Sequence, residues 1–414
     1  MYGKTILILL IVAVAFSVGL IALTPHEAAR EIRPYEGQEP QLAAPTADDI
    51  GQHVAGDNAL ALELYHVLEE REGNLLFSPY SISASLGMTY CGARGETFKE
   101  MRDVLHFSLA PALFSRAVAE LGEMLNQENG LYVANSLWTQ QSLPFNRSFV
   151  MLLHQGYGVE PETVDFVASP ENVRRQINTW AAEQTAGKIE HLIPVGGVDS
   201  TTRLVLASAI YFKNPWKQPF QTLPQPREFH LLNGRTVRTP MMSVNASLAW
   251  VREDTFQAVC LPYEGDTSML LLLPDLGTFQ EFQASLTPEK LNTILASLDE
   301  QTLFLTMPKF ECASDFQLRE ALEELGMEIP FSSAANFSGM TKAPLRIAQV
   351  FHKAYVHVDE QGTEAGAATA ITMARGLTNT PSVNIDRPFI FLIRHDPTGT
   401  ILFMGRVLNP AEET

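Results

Sequence analysis

Cysteine is scarce in this 414-residue chain. Cys91, Cys260 and Cys312 are too few, and odd in number, for a disulfide framework, and without a CxxC spacing they are expected as buried thiols. The ten histidines show no HExxH or other metal-ligand spacing, so a metal site has no support in the sequence. A GxSxG elbow and a phosphate-binding glycine loop are also missing, which leaves an enzyme or a cofactor without a motif to stand on. Basic residues are in the minority, 29 against 47 acidic, and a net charge of -18 argues against nucleic acid as a partner. No repeat period is visible, and no Pro/Gly/Ser-rich linker interrupts the chain after about residue 57. With 46% hydrophobic residues, the chain reads as one large domain.

Residues 5–23 are apolar apart from Thr5 and Ser17, and Pro25 ends the run. A membrane span needs about 20 apolar residues and a signal core about 7–15, so residues 1–24 are expected to be a signal peptide or a signal anchor. With Lys4 on the cytoplasmic side, either places the rest of the chain outside the membrane, secreted or tethered by residues 5–23. Residues 25–50, rich in Pro, Glu, Gln and Ala, read as a disordered tether, and the folded domain is expected over 51–414.

The stretch 359–377, DEQGTEAGAATAITMARGL, has an unusual composition. From Gly362 to Ala370 every residue is Gly, Ala or Thr except Glu364. Composition alone fits a flexible loop. In an extended chain, however, Thr363, Ala365, Ala367, Thr369, Ile371 and Met373 fall on one face and Glu364, Gly366, Ala368, Ala370 and Thr372 on the other. One face is small and mostly apolar, as required of a strand that slides between two existing strands, where a bulky or charged inward side chain would be over-packed or buried without a partner.

EQGTEAGAATA resembles the hinge of the reactive-centre loop of an inhibitory serpin. Other runs resemble the same family in the same order, from about residue 60 to 410. They include Phe77-Ser78-Pro79-Tyr80-Ser81-Ile82 at a helix start, LVLASAIYFKNPWKQPF from Leu204 with Trp216 in the turn, LTMPKF from Leu305, and a C-terminal hairpin around HDPTGT. In bland terms Ser78 is an N-cap with Pro79 at the first helical position. One departure is Ser208, where the family usually has Asn. A hydroxyl has fewer donors and a shorter reach than an amide, which puts the energetics of sheet opening in question.

The resemblance implies an α+β serpin fold with three β-sheets, eight or nine helices and an exposed reactive-centre loop at 360–380. It implies no catalytic residue. It does imply a reactive bond, and MARGL, one residue short of the family's usual spacing, puts it at Arg375–Gly376. The implied hinge is Glu360, Gly362, Thr363, Glu364, Ala365, Gly366, Ala367, Ala368 and Thr369. Ser81, Ser208 and His352 would form a polar cluster under the opening strands. Trp216, Lys309 and Glu360 would form the loop entrance, with Lys309 and Glu360 as an ion pair. The implied function is suicide-type inhibition of an extracellular trypsin-like serine protease, the covalent partner, by a monomer. The alternatives are a non-inhibitory carrier of the same fold, whose hinge should carry charge, Pro or bulk, and an inhibitor of a cysteine protease. No heparin site is expected, because residues 109–127 hold a lone Arg116. Asn146, Asn245 and Asn336 fit the glycosylation sequon.

Overall fold

The computed structural model describes residues 44–126, 130–363 and 380–412. Residues 5–23, expected to direct export, and most of the expected tether lie outside them. Among the described residues, no helix is long and apolar enough to cross a membrane.

The first helix, α1 (Ala47–Leu68), opens inside the stretch expected to be tether. The cause is local. The Thr46 hydroxyl accepts from the Asp49 amide at 3.2 Å, and the Asp49 carboxylate accepts from the Thr46 amide at 2.7 Å, a reciprocal capping box. Helix α2 (Pro79–Tyr90) starts as the sequence predicts, with the Ser78 hydroxyl capping the Ser81 amide, and all of its residues are buried. Nine α-helices and three sheets are present among the described residues.

The sheet that matters here is built from β1 (Leu131–Gln140), β2 (Glu162–Val164), β3 (Leu204–Phe212), β4 (Asn214–Pro215), β5 (Phe310–Gln317), β6 (Gln349–Val358) and β7 (Gly362–Thr363). Its main order is β2-β1-β3-β6-β5. At the centre β3 and β6 run parallel, in register from Val205↔Gln349 to Tyr211↔Tyr355. Every residue of β3 is buried, as expected for a strand covered on both faces. Val205, Ala207 and Ala209 pack in a cluster with Ile177 and Ala181 of the helix Pro170–Gln184, while α2 contacts the strand as well. A nine-stranded sheet closes on the C-terminal hairpin of Phe389–His395 and Thr400–Val407, and a small hairpin pairs Arg227–His230 with Thr236–Thr239.

All three cysteines are free thiols; Cys91 and Cys312 are buried, and burial pushes both up to about 12. The three sequon asparagines differ in accessibility. Asn336 is exposed, whereas the Asn146 amide donates to the Ser338 and Gly339 carbonyls and Asn245 lies within the strand Met241–Arg252.

Candidate functional site

Beyond Tyr355 and Tyr211 the two central strands part, and β7 fills the space between them. Thr363 pairs antiparallel with Val358 of β6 on one side and with Asn214 of β4 on the other. The chain reaches this position through a tight turn. The Asp359 amide donates to the Gly362 carbonyl at 2.9 Å, and the Asp359 carboxylate accepts from the Gln361 and Gly362 amides. Gly362 has φ +154, and a Cβ there would lie 2.3 Å from the Asn214 carbonyl oxygen, so no other residue fits without displacing the turn.

Trp216 and Glu360 hold the turn from outside, and Lys309 joins them, so the structure brings together the three residues named for the loop entrance. The Trp216 indole donates to the Asp359 carbonyl at 2.9 Å, its backbone amide donates to the Gln361 carbonyl, and the Phe220 amide donates to the Glu360 carbonyl. Lys309 Nζ lies 3.2 Å from Glu360 Oε1, which also accepts from the Thr222 hydroxyl at 2.6 Å. Burial alone would raise the Glu360 carboxyl. The Thr222 hydroxyl, the residue's own amide and Lys309 outweigh it and hold the group below the usual carboxylate range.

Sequence reasoning missed Tyr263. Its ring stacks on Trp216 with centroids 4.2 Å apart, and its hydroxyl is 2.8 Å from the Thr363 hydroxyl, which is fully buried. Thr222 and Asn214 were missed for the same reason: each meets the turn only through long-range pairing, which leaves no trace in local sequence.

Lower in the sheet, Ser81, Ser208 and His352 form one buried network. His352 Nε2 accepts from the Ser78 amide at 3.0 Å, so the ring proton sits on Nδ1 and donates to Ser208 Oγ at 3.0 Å. The Ser208 hydroxyl then donates to Ser81 Oγ at 2.8 Å, and Ser81 donates to Asn135 Oδ1 at 3.0 Å. The single backbone donor thus sets the direction of the whole chain of bonds. Asn135 lies opposite Ser208 in the β1–β3 register and supplies a side-chain amide that Ser208 lacks. The serine therefore leaves no broken link.

Burial depresses the His352 pKa from 6.5 to about 3, so the ring is neutral at physiological pH. Between these values the unfolded chain binds a proton at His352 that the folded chain refuses, and folded stability falls as pH drops through the interval. Denaturant titrations between pH 4 and 6 should therefore show a wild-type slope steeper than that of His352→Gln by about 1.4 kcal/mol per pH unit. Identical slopes would mean that His352 is not held neutral.

The remaining residues named from the sequence, Glu364, Ala365, Gly366, Ala367, Ala368, Thr369, Arg375 and Gly376, lie outside the described residues. What the structure contains is a sheet whose two central strands part at one end, with a turn that delivers a buried threonine into the gap.

Comparison with known proteins identifies this architecture. Residues 55–410 match the family described as Serpin (serine protease inhibitor). The chain is 36% identical over 374 residues to the leukocyte elastase inhibitor of Sus scrofa, covering 86% of this chain and 99% of that protein. Its fold superposes on the crystal structure of maspin with a TM-score of 0.80 at 27% identity, covering 88% of this chain and all of maspin. Human thyroxine-binding globulin, complexed with its ligand, superposes with a TM-score of 0.79 at 27% identity and 88% coverage of this chain. The chain belongs to the serpin family, whose members include protease inhibitors.

Proposed function

We propose that this protein is a suicide-type inhibitor of a trypsin-like serine protease that acts outside the membrane. The protease attacks the loop as substrate and forms an acyl-enzyme. The freed strand then inserts between β3 and β6 before water can release the enzyme. The observation that carries this reading is the seat of Thr363, already paired with Val358 in the parted end of the sheet. Continued in the same antiparallel register, Ala365 meets Val356, Ala367 meets Ala354, Thr369 meets His352 and Ile371 meets Val350. Those four residues of β6 are buried, so the facing residues of the insert must be small or apolar, or must find a polar partner. Ala365 and Ala367 satisfy the steric demand, and Thr369 would bring a hydroxyl to the polar network.

The likeness to thyroxine-binding globulin supports a carrier role as a second reading. A carrier places no steric demand on residues 363–371, whereas charge, proline or bulk on the inward face is what insertion forbids, and Thr363, Ala365, Ala367 and Thr369 on that face have none of these. Arg375 is the proposed bait, because a long cationic side chain suits the acidic pocket of a trypsin-like protease and its neighbours Ala374 and Gly376 have little side-chain bulk.

Mass spectrometry of the fragment released by trypsin should find a C-terminal peptide that begins at Gly376, and Arg375→Glu should abolish trypsin inhibition. A fragment that begins at Leu377 or Thr378, or undiminished inhibition by the variant, would move the bait and change the target class.

A further inference from the structure

At the far end of the same pair of strands lies a cleft of about 440 Å³. The chain is acidic overall, yet three arginines line this one cleft: Arg203, Arg319 and Arg346. Two of them are held in place. Arg203 Nη1 donates to the Ser200 and Thr202 carbonyls at 2.9 and 2.8 Å. Arg319 Nε donates to Glu323 at 2.7 Å, and its guanidinium sits 5.5 Å from the centre of the Phe331 ring. Arg346 is exposed and has no side-chain partner among the described residues. The one carboxylate lining the cleft, Asp199, is already engaged. Its Oδ1 accepts from the Thr201 hydroxyl and amide and from the Thr202 amide, and these bonds hold it below the usual carboxylate range. Hydrogen bonds do not cancel the Asp199 charge, and Glu323 offsets Arg319, so the excess positive charge at the cleft is the exposed guanidinium of Arg346, with Arg203 and Arg319 positioned beside it and Ser333 at the wall.

We infer that this cleft binds a small multivalent oxyanion, either a phosphate or a compact polycarboxylate, through forked contacts from Arg203, Arg319 and Arg346. Arg203 leads directly into β3, and Arg346 lies just before β6, where the Ala348 amide donates to the Leu204 carbonyl at 3.0 Å. An anion that spans both arginines ties the starts of the two strands together and so opposes their parting. That second consequence rests on the insertion reading proposed above; the binding itself does not.

Isothermal titration with inorganic phosphate and, separately, with citrate, each against chloride at matched ionic strength, tests the site. The expected result is saturable one-to-one binding by at least one of the two. It should weaken at least tenfold in Arg346→Glu, an exposed position where the substitution leaves the core untouched, and also in Arg203→Gln. The relative affinities of the two probes separate a phosphate site from a polycarboxylate site. Absence of saturable heat with both, or equal affinity in wild type and Arg346→Glu, would overturn the inference. In a second arm, the tighter-binding anion should lower the yield of stable trypsin complex in the wild type and not in Arg346→Glu. A yield that ignores the anion while calorimetry shows it bound would refute the tie between strands. If trypsin forms no complex under any condition, the inhibitor reading fails and calorimetry still decides the site.

Discussion

A Thr363→Arg protein is expected to be cut by its target protease as readily as the wild type and to give less than a tenth of the wild-type yield of stable complex. Thr363 is fully buried between β6 and β4, and its hydroxyl bonds to Tyr263. A guanidinium in that seat would be a buried charge without a partner, with a penalty of about 3–5 kcal/mol. The strand escapes this cost by leaving the gap, so insertion must begin from an unseated hinge. A barrier raised by even about 3 kcal/mol slows insertion roughly 100-fold, while deacylation is unaffected and wins the competition. Thr363→Ser keeps the hydroxyl and the small volume and should retain most of the complex yield. Gel analysis of both variants after incubation with trypsin checks this. A full yield from Thr363→Arg would mean that this strand does not insert.

Cleavage of the loop is expected to raise the unfolding midpoint by on the order of 10 °C or more. At the centre of the sheet β3 and β6 pair directly with each other, and among the described residues β7 alone lies in the gap at their parted end. Once cut, the chain beyond Thr363 can pair on both sides. Each new ladder bond contributes about 0.5–1.5 kcal/mol net, while ordering each residue costs about 1–2 kcal/mol, so these two effects nearly cancel. The rise must therefore come from burial of side chains such as Ile371 and from relief of strain held by the uncut fold. Calorimetric melts of cut and uncut protein measure it directly. Equal midpoints would favour the carrier reading.

The parts of the site that could be read from the sequence were those whose requirement is local. Ser78-Pro79 marks a helix start that the structure contains, while the run of Gly, Ala and Thr after Gly362 suggested an inserting strand from its side-chain sizes alone and, beyond Thr363, lies outside the described residues. Helix α1 was misplaced at its N-terminus because its cap pairs Thr46 with an aspartate, set in a Pro/Ala-rich stretch that reads as tether. The concern over Ser208 came from reading one strand alone. Asn135 completes the hydrogen-bond network beside Ser208, but that residue faces Ser208 only through the antiparallel β1–β3 register, which no local pattern encodes. Tyr263 and Thr222 escaped notice for the same reason, as did the convergence of Arg203, Arg319 and Arg346 on one cleft.

The most direct measurement is denaturing electrophoresis of the protein after incubation with trypsin. The inhibitor account predicts a covalent adduct of the two proteins that survives boiling in detergent, with release of the short peptide that starts at Gly376. Complete conversion to cleaved protein and free, active trypsin, with no adduct at any ratio of the two, would contradict it.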